Sequence, residues 1–250
     1  MFSHELDSSA CRIRNSTLQW TSVQTFAAPT PSIQMRGSKI VIWGAGGHAR
    51  VVADVIHCLK QSEIAGFLDD ANPERRGSEF CGGRILGGAE QLAPLLKEGI
   101  GYIVIAIGDC VARLRSASIA RDAGFHLATL CHPSAVVATS ASIGPGTVLF
   151  AGSVVNPDCC IGANVILNTA ATVDHECLVE DGVHIGPGAH IGGRCRIGSS
   201  AWIGIGATVK DGVDIAPESI IGAGAVVVRD IPQNVIAYGV PARVIRNRVE

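Results

Sequence analysis

Every sixth residue from Val137 to Val227 is aliphatic: Val137, Ile143, Leu149, Val155, Ile161, Leu167, Val173, Val179, Ile185, Ile191, Ile197, Ile203, Val209, Ile215, Ile221 and Val227. This unbroken row constrains the fold more than any other feature of the chain. A hexad period is the pattern of a β-helix, whose short strands make three flat walls joined by tight corners. Three hexads close one coil of 18 residues, and each coil pairs with the next at about 4.8 Å. Two residues before each aliphatic the side chain is small or is valine, as at Ala141, Cys159, Val165, Cys177, Ala189 and Cys195. Glycine often follows the aliphatic, as at Gly144, Gly162, Gly186, Gly192 and Gly204, and is expected to allow the corners. The pattern predicts about five coils over residues 134–229, with the aliphatic row inside.

Upstream the periodicity changes. Residues 1–36 are polar, contain Ala28-Pro29-Thr30-Pro31 and lack sustained periodicity, so they are expected to be a disordered extension. Met35 stands just before the first strong strand, which leaves the extension dispensable in this reading. Residues 37–130 alternate strand and helix: Ile40-Val41-Ile42-Trp43, a glycine turn, the helical run 51–59, a strand over 64–68, another over 102–107, and a helix over 111–123. That alternation predicts a small Rossmann-like α/β domain with its functional edge at the strand C-termini. The β-helix then takes residues 131–229, and residues 230–250 form a tail.

The turn Gly44-Ala45-Gly46-Gly47-His48-Ala49 satisfies GxGxxA, with Asp69 25 residues beyond Gly44. The N–H groups of such a turn bind any phosphate, so a nucleotide-sugar diphosphate suits it as well as NAD. A tight turn serving only the fold is the plainer reading. A net charge of −2 without a long basic run gives no footprint for nucleic acid. The nine cysteines form no CxxC pair; they read as small buried hydrophobes of a reducing compartment rather than a disulfide or zinc framework. Cys159, Cys177 and Cys195 repeat at the coil interval. Neither a membrane span nor a secretory signal is recognisable, so a cytoplasmic location is expected.

The repeat resembles that of the hexapeptide-repeat acyltransferases, which build left-handed parallel β-helices. The ending Tyr238-Gly239-Val240-Pro241-Ala242-Arg243 is similar to that family's terminal Gly-x-Pro-Ala-Lys/Arg segment. Together with the glycine turn and Asn168-Thr169-Ala170-Ala171-Thr172-Val173-Asp174-His175-Glu176-Cys177, it resembles the subfamily of bacterial UDP-amino-sugar N-acetyltransferases and sialic-acid O-acetyltransferases. The resemblance implies acetyl-CoA as acyl donor, a nucleotide-sugar acceptor and a homotrimer. It implies His175 as general base, a role suited to imidazole because its ordinary pKa of about 6.5 lies near neutrality, with Glu176 tuning it. It also places His184, Gly193, Ile205 and Ala223 against the coenzyme. Gly46, Gly47, His48, Asp69, Asp70, Gly108 and Asn168 are placed with the acceptor.

Each position has a plainer reading, as a surface histidine, a wall residue or a corner glycine. The leading expectation is N-acetylation of a UDP-linked amino sugar, with O-acetylation of a sialic acid or related sugar as the alternative. A metalloenzyme of the γ-carbonic-anhydrase type would use His175, His184 and His190, whose spacing does not match; no metal is expected. A noncatalytic nucleotide-sugar-binding scaffold is the remaining alternative. Since sixteen uninterrupted hexads leave no inserted loop, the N-terminal domain or a neighbouring subunit must close the site.

Overall fold

The computed structural model describes residues 37–248. The expectation of disorder over residues 1–36 lies outside the described residues. Strand β1 (Lys39–Trp43) leads through the glycine turn into helix α1 (Gly47–Leu59). Then come β2 (Glu63–Leu68), β3 (Glu79–Phe80), β4 (Gly83–Gly87), α2 (Leu92–Lys97), β5 (Tyr102–Ile105), α3 (Cys110–Ala123) and β6 (His126–Leu127). They form one sheet in the order β3-β4-β2-β1-β5-β6, parallel except where β3 turns back on β4. The order reverses between β1 and β5, which opens a crevice at their C-terminal ends. Gly44 is required there. At φ +130° its missing Cβ would lie 2.5 Å from the Ala106 carbonyl at the end of β5.

The second half is a left-handed parallel β-helix of three walls. The first begins at Leu130–Cys131 and runs through Val148–Leu149, Ile166–Leu167, His184–Ile185, Trp202–Ile203 and Ile220–Ile221 to the hairpin Val235–Gly239 and Ala242–Asn247. The second runs from Val136–Val137 to Val226–Val227, and the third from Ser142–Ile143 to Asp214–Ile215. Each two-residue wall strand from Leu130–Cys131 to Thr208–Val209 pairs with the strand 18 residues on, as Thr172 does with His190. The register is the one the hexads predict: all fourteen aliphatics from Leu149 to Val227 are at most 2% exposed. Val137 and Ile143 are only partly buried, because no full coil lies beneath them. The walls outrun the 134–229 repeat at both ends, and the segment read as a tail adds two strands.

Glycine serves the corners differently from the simple expectation. The left-handed residue of each corner stands three after the inward aliphatic, and Asp158, Asn164, Ala170, Glu176, Arg194 and Ser200 occupy it as well as glycines. The glycines that directly follow the aliphatic answer a different need. At Gly204, a Cβ would sit 2.6 Å from the Ala223 nitrogen of the next coil. Among the described residues seven cysteines are free thiols, and Cys110, Cys159, Cys177 and Cys195 are buried as expected. Cys160 is disulfide-bonded, an exception to the reading of all nine as thiols.

The α/β domain sits on the first wall. Leu130, Val148, Phe150 and Ile166 share a core with Ala49, Val52 and Ile56 of α1. Arg113 of α3, 1% exposed, ties the two halves: it donates to the carbonyls of Ile107 and Gly108 on one side and of Asn164 and Gly182 on the other. These carbonyl dipoles stand in for the hydration that the buried guanidinium gives up.

Candidate functional site

Helix α1 begins on bare backbone. Its N-cap Gly46 offers no side chain and its first turn contains no acid, so its first N–H groups keep their capacity for an anion. Gly46 and Gly47 are exposed, and a Cβ on either would meet nothing within 4 Å. The turn is an open cradle.

Asp69 and Asp70 stand beside it with their carboxylates already engaged. Asp69 accepts from the backbone of Ala71 and Asn72, from the Asn72 amide, and from Arg75 at 2.8 Å. Asp70 accepts from the Trp43 indole at 2.6 Å and from Ala89 N–H at 2.7 Å. Arg75, which also reaches the Ala45 carbonyl at 3.0 Å, is a cation beside the turn that the sequence did not single out. Asp109 caps α3 by accepting from Ala112 N–H.

His48, Gly108, Asn168 and His184 meet where the crevice faces the first wall. His184 is 6% exposed. Its Nδ1 lies 3.4 Å from the Gly108 carbonyl and its Nε2 3.2 Å from the Asn168 amide nitrogen. A carbonyl can only accept, so Nδ1 carries the proton and Nε2 receives the amide N–H. Burial, reinforced by Arg113 and opposed by the Gly108 bond, lowers the His184 pKa to about 4. Burial, then His184, then Arg113 lower that of His48 to about 3. Both rings are neutral at neutral pH. His48 packs edge-on to Phe150, with its Nε2 sealed from water and unpartnered.

His175 lies elsewhere, at the corner between the second and third walls. Its ring is 44% exposed, and Nδ1 lies 3.1 Å from a Glu176 carboxylate oxygen. The carboxylate accepts, which leaves Nε2 as the unprotonated nitrogen of the neutral ring. Arg194 approaches the same carboxylate oxygen at 3.8 Å. Asp174 faces away from the ring: it accepts from His175 N–H and the Asn156 amide, both at 2.8 Å, and these bonds lower its pKa. Gly193, one coil on, has a definite reason to be glycine. A Cβ there would lie 2.7 Å from both Cε1 and Nε2 of His175, so the space it leaves is filled by the imidazole. Its N–H is bonded to Asp211. A groove of about 520 Å³ along the second wall, with Thr172, His190, Thr208 and Lys210 among its lining, runs up to this corner.

Ile205, 62% exposed, and Ala223 stack at the corner between the first and second walls. One chain therefore does not gather the expected residues: it holds His48, Gly108, Asn168 and His184 on one side of the prism, His175, Glu176 and Gly193 on the opposite corner, and Ile205 and Ala223 at another. His175, His184 and His190 do not converge as metal ligands. Among the described residues the possible ligands that group are Asp54, Cys58 and His132. No helix among the described residues is long and apolar enough to cross a membrane.

Residues 39–119 match the model of the PglD N-terminal domain, and residues 194–229 that of the bacterial transferase hexapeptide (six repeats). No curated protein matches the chain. Among solved structures, GDP-perosamine N-acetyl transferase from Caulobacter crescentus is 38% identical, with 84% of this chain and 98% of that one covered and a TM-score of 0.80. It is a histidine-to-alanine mutant in complex with CoA and GDP-perosamine. The acetyltransferase domain of PglB from Neisseria gonorrhoeae, in complex with acetyl coenzyme A, is 39% identical over 84% of this chain and 100% of that one, with a TM-score of 0.79. WeeI from Acinetobacter baumannii is 25% identical over 83% and 100%, with a TM-score of 0.72. The chain belongs to the hexapeptide-repeat acyltransferases and, within them, to the sugar N-acetyltransferases that carry a PglD-type N-terminal domain.

Proposed function

We propose that the protein transfers the acetyl group of acetyl-CoA to the amine of a nucleotide-linked amino sugar, with His175 as general base. The observation that carries this reading is the His175–Glu176 pair: Nδ1–H held by a carboxylate, Nε2 free above Gly193, and a groove leading to it. The amine nitrogen attacks the thioester carbonyl, Nε2 takes the proton, and the C–S bond breaks as the tetrahedral intermediate collapses. Glu176 fixes the tautomer that leaves Nε2 basic and stabilises the imidazolium. The acyl donor lies against His184, Ile205 and Ala223 of one copy and reaches Gly193 beside His175 of the next; CoA or acetyl coenzyme A accompanies the Caulobacter and Neisseria proteins. The acceptor's diphosphate rests on Gly46 and Gly47, with its sugar toward Gly108 and Asn168. UDP and GDP both meet this description.

The separation of the two half-sites supports a site shared between copies. The α/β domain covers the first wall, whereas His175 stands at the corner facing away from it. About 10 Å of packed core or more separates opposite sides of such a prism, too far for an amine held at the glycine turn to reach the base of its own chain. The base comes from a neighbouring copy, and a closed ring of three prisms repeats that contact. The direct test is CoA-thiol release with UDP- and GDP-linked amino sugars. His175→Ala should lower kcat by about 10²- to 10⁴-fold with KM little changed. Near-normal turnover by that variant at saturating acceptor refutes the base.

A further inference from the structure

Cys58 departs from the reading of the cysteines as buried hydrophobes. Of the free thiols among the described residues, it alone is exposed. Asp54, also exposed, stands one turn before it on α1, and residues at that spacing share a helix face. The third member of the group comes from the other domain. Leu130 and Cys131 pair with Val148 and Leu149, so His132 is the counterpart, one coil earlier, of Phe150. Phe150 packs into the core that includes α1, and the position it shares with His132 therefore faces that helix. The Asp54 carboxylate, the Cys58 thiol and a ring nitrogen of His132 lie within 4.8 Å of one another. The ring is already oriented: Nδ1 lies 2.8 Å from Ser134 Oγ and accepts from Ser134 N–H at 3.1 Å. Ser134 thus occupies Nδ1 and leaves Nε2 for an outside partner.

We propose that Asp54, Cys58 and His132 hold one divalent transition-metal ion, Zn²⁺ by preference, as a clamp between the two domains. A thiolate and an imidazole select against Mg²⁺ and Ca²⁺, whereas one sulfur, one nitrogen and one oxygen suit Zn²⁺. Zn²⁺ bonds of about 2.0–2.3 Å at tetrahedral angles place the donor atoms about 3.5 Å apart. Asp54 and Cys58 are exposed, so rotation about their χ angles closes the remaining distance without moving the backbone. Water fills the fourth position. On binding, Cys58 gives its thiol proton to solvent. The imidazole proton passes from Nε2 to Nδ1 and is donated to Ser134 Oγ, which accepts Gly152 N–H at 3.2 Å and has a second lone pair for it. The ion lies about 10 Å or more along α1 from the glycine turn. It fixes how the α/β domain is seated on the first wall, and the proposal stands independently of the acetyl-transfer reading.

The experiment uses the full-length enzyme, kept reduced, stripped with a chelator and titrated with Co²⁺ or Zn²⁺ alone. Co²⁺ should give a thiolate-to-metal charge-transfer band that saturates at one ion per chain and disappears when Zn²⁺ is added. Asp54→Asn, Cys58→Ser and His132→Gln should each weaken binding by more than about 100-fold, beyond the cost of disturbing an outer partner. Ser134→Ala acts through His132 and should cost about 10- to 100-fold; it reports on the histidine even where His132→Gln folds poorly. Zn²⁺ should raise the melting temperature of the wild type and leave that of Cys58→Ser unchanged. A band that survives Cys58→Ser comes from another thiol and overturns the proposal. One that keeps its affinity in both His132→Gln and Ser134→Ala belongs to a chelate on α1 alone and overturns the link between domains. Absence of saturable binding by either ion refutes the site outright.

Discussion

A site shared between copies predicts complementation of two dead variants, with a yield that simple counting fixes. Gly47→Val disables the acceptor turn without disturbing the fold, because a Cβ at Gly47 meets nothing within 4 Å. His175→Ala removes an exposed ring whose one side-chain hydrogen bond is to Glu176. Each homogeneous variant should be nearly inactive. In a trimer assembled at random from equal amounts, a working site needs an intact turn on one copy and an intact His175 on the next. The two chances of one half give about a quarter of wild-type sites. Tandem affinity tags that retain only mixed trimers should raise the yield to about a third, since every mixed ring of three contains one productive neighbour pair. The assay is thiol release per active-site equivalent after co-refolding or co-expression. Verified mixed trimers with no more activity than the parents would refute the shared site, because a site completed within one chain is dead in both variants.

Other expectations follow from single contacts. Gly193→Ala should lower kcat by at least about tenfold while leaving thermal stability nearly unchanged, because the new methyl displaces an exposed base rather than the core; unchanged kcat would mean that the ring position is immaterial. Ile185→Asp should cost more than about 4 kcal/mol in urea unfolding, since an unpaired charge enters the prism axis, and near-wild-type stability would disprove the register. His48 and His184 stay neutral in the folded protein down to about pH 3 and pH 4, whereas the unfolded chain takes up protons below about pH 6.5. The unfolded state binds more protons as pH falls through that window, so stability present above pH 6.5 is lost on acidification, by about 2 kcal/mol per histidine at pH 5. His184→Gln should remove about half of that dependence, and equal unfolding free energies at pH 7.5 and pH 5 would contradict the buried neutral pair.

The β-helix was legible because its period couples sequence to packing without mediation from distant residues. Each inward aliphatic meets its equivalent one coil away, so the row from Val137 to Val227 carries the register by itself. Locality left both neighbours of His175, Asp174 and Glu176, as possible partners; the family resemblance favoured Glu176, and the His175–Glu176 contact agrees with it. Asp69 and Asp70 show where this ends. The spacing of Asp69 from Gly44 matched a dinucleotide fingerprint, but the partners Asn72, Arg75 and Trp43 could not be read from it, and only the sheet brings Trp43 to Asp70. An Asp followed two and three residues later by backbone donors is also an Asx-turn signature, a local signal that could have been weighed for Asp69.

The remaining gap concerns which sides of the prism face one another, and there the hexads held more than was drawn from them. His175 and His184 are nine residues apart in an 18-residue coil, so half a coil separates them and they cannot share a face. A site that uses both, as proposed above, therefore draws them from two copies. Trp202 stands one full coil after His184, so the same arithmetic places an aromatic ring beside it on the outward face, although it does not reveal that the α/β domain stops short of covering it. Arg113 left no comparable trace. One of three arginines in a helix of weak amphipathicity reads as solvated, and its burial follows only from the docking of α3 onto carbonyls of the coils, a contact between segments roughly 50 to 70 residues apart. Periodicity thus specifies what repeats, while the functional crevice forms where the repeat meets a domain that does not share its period.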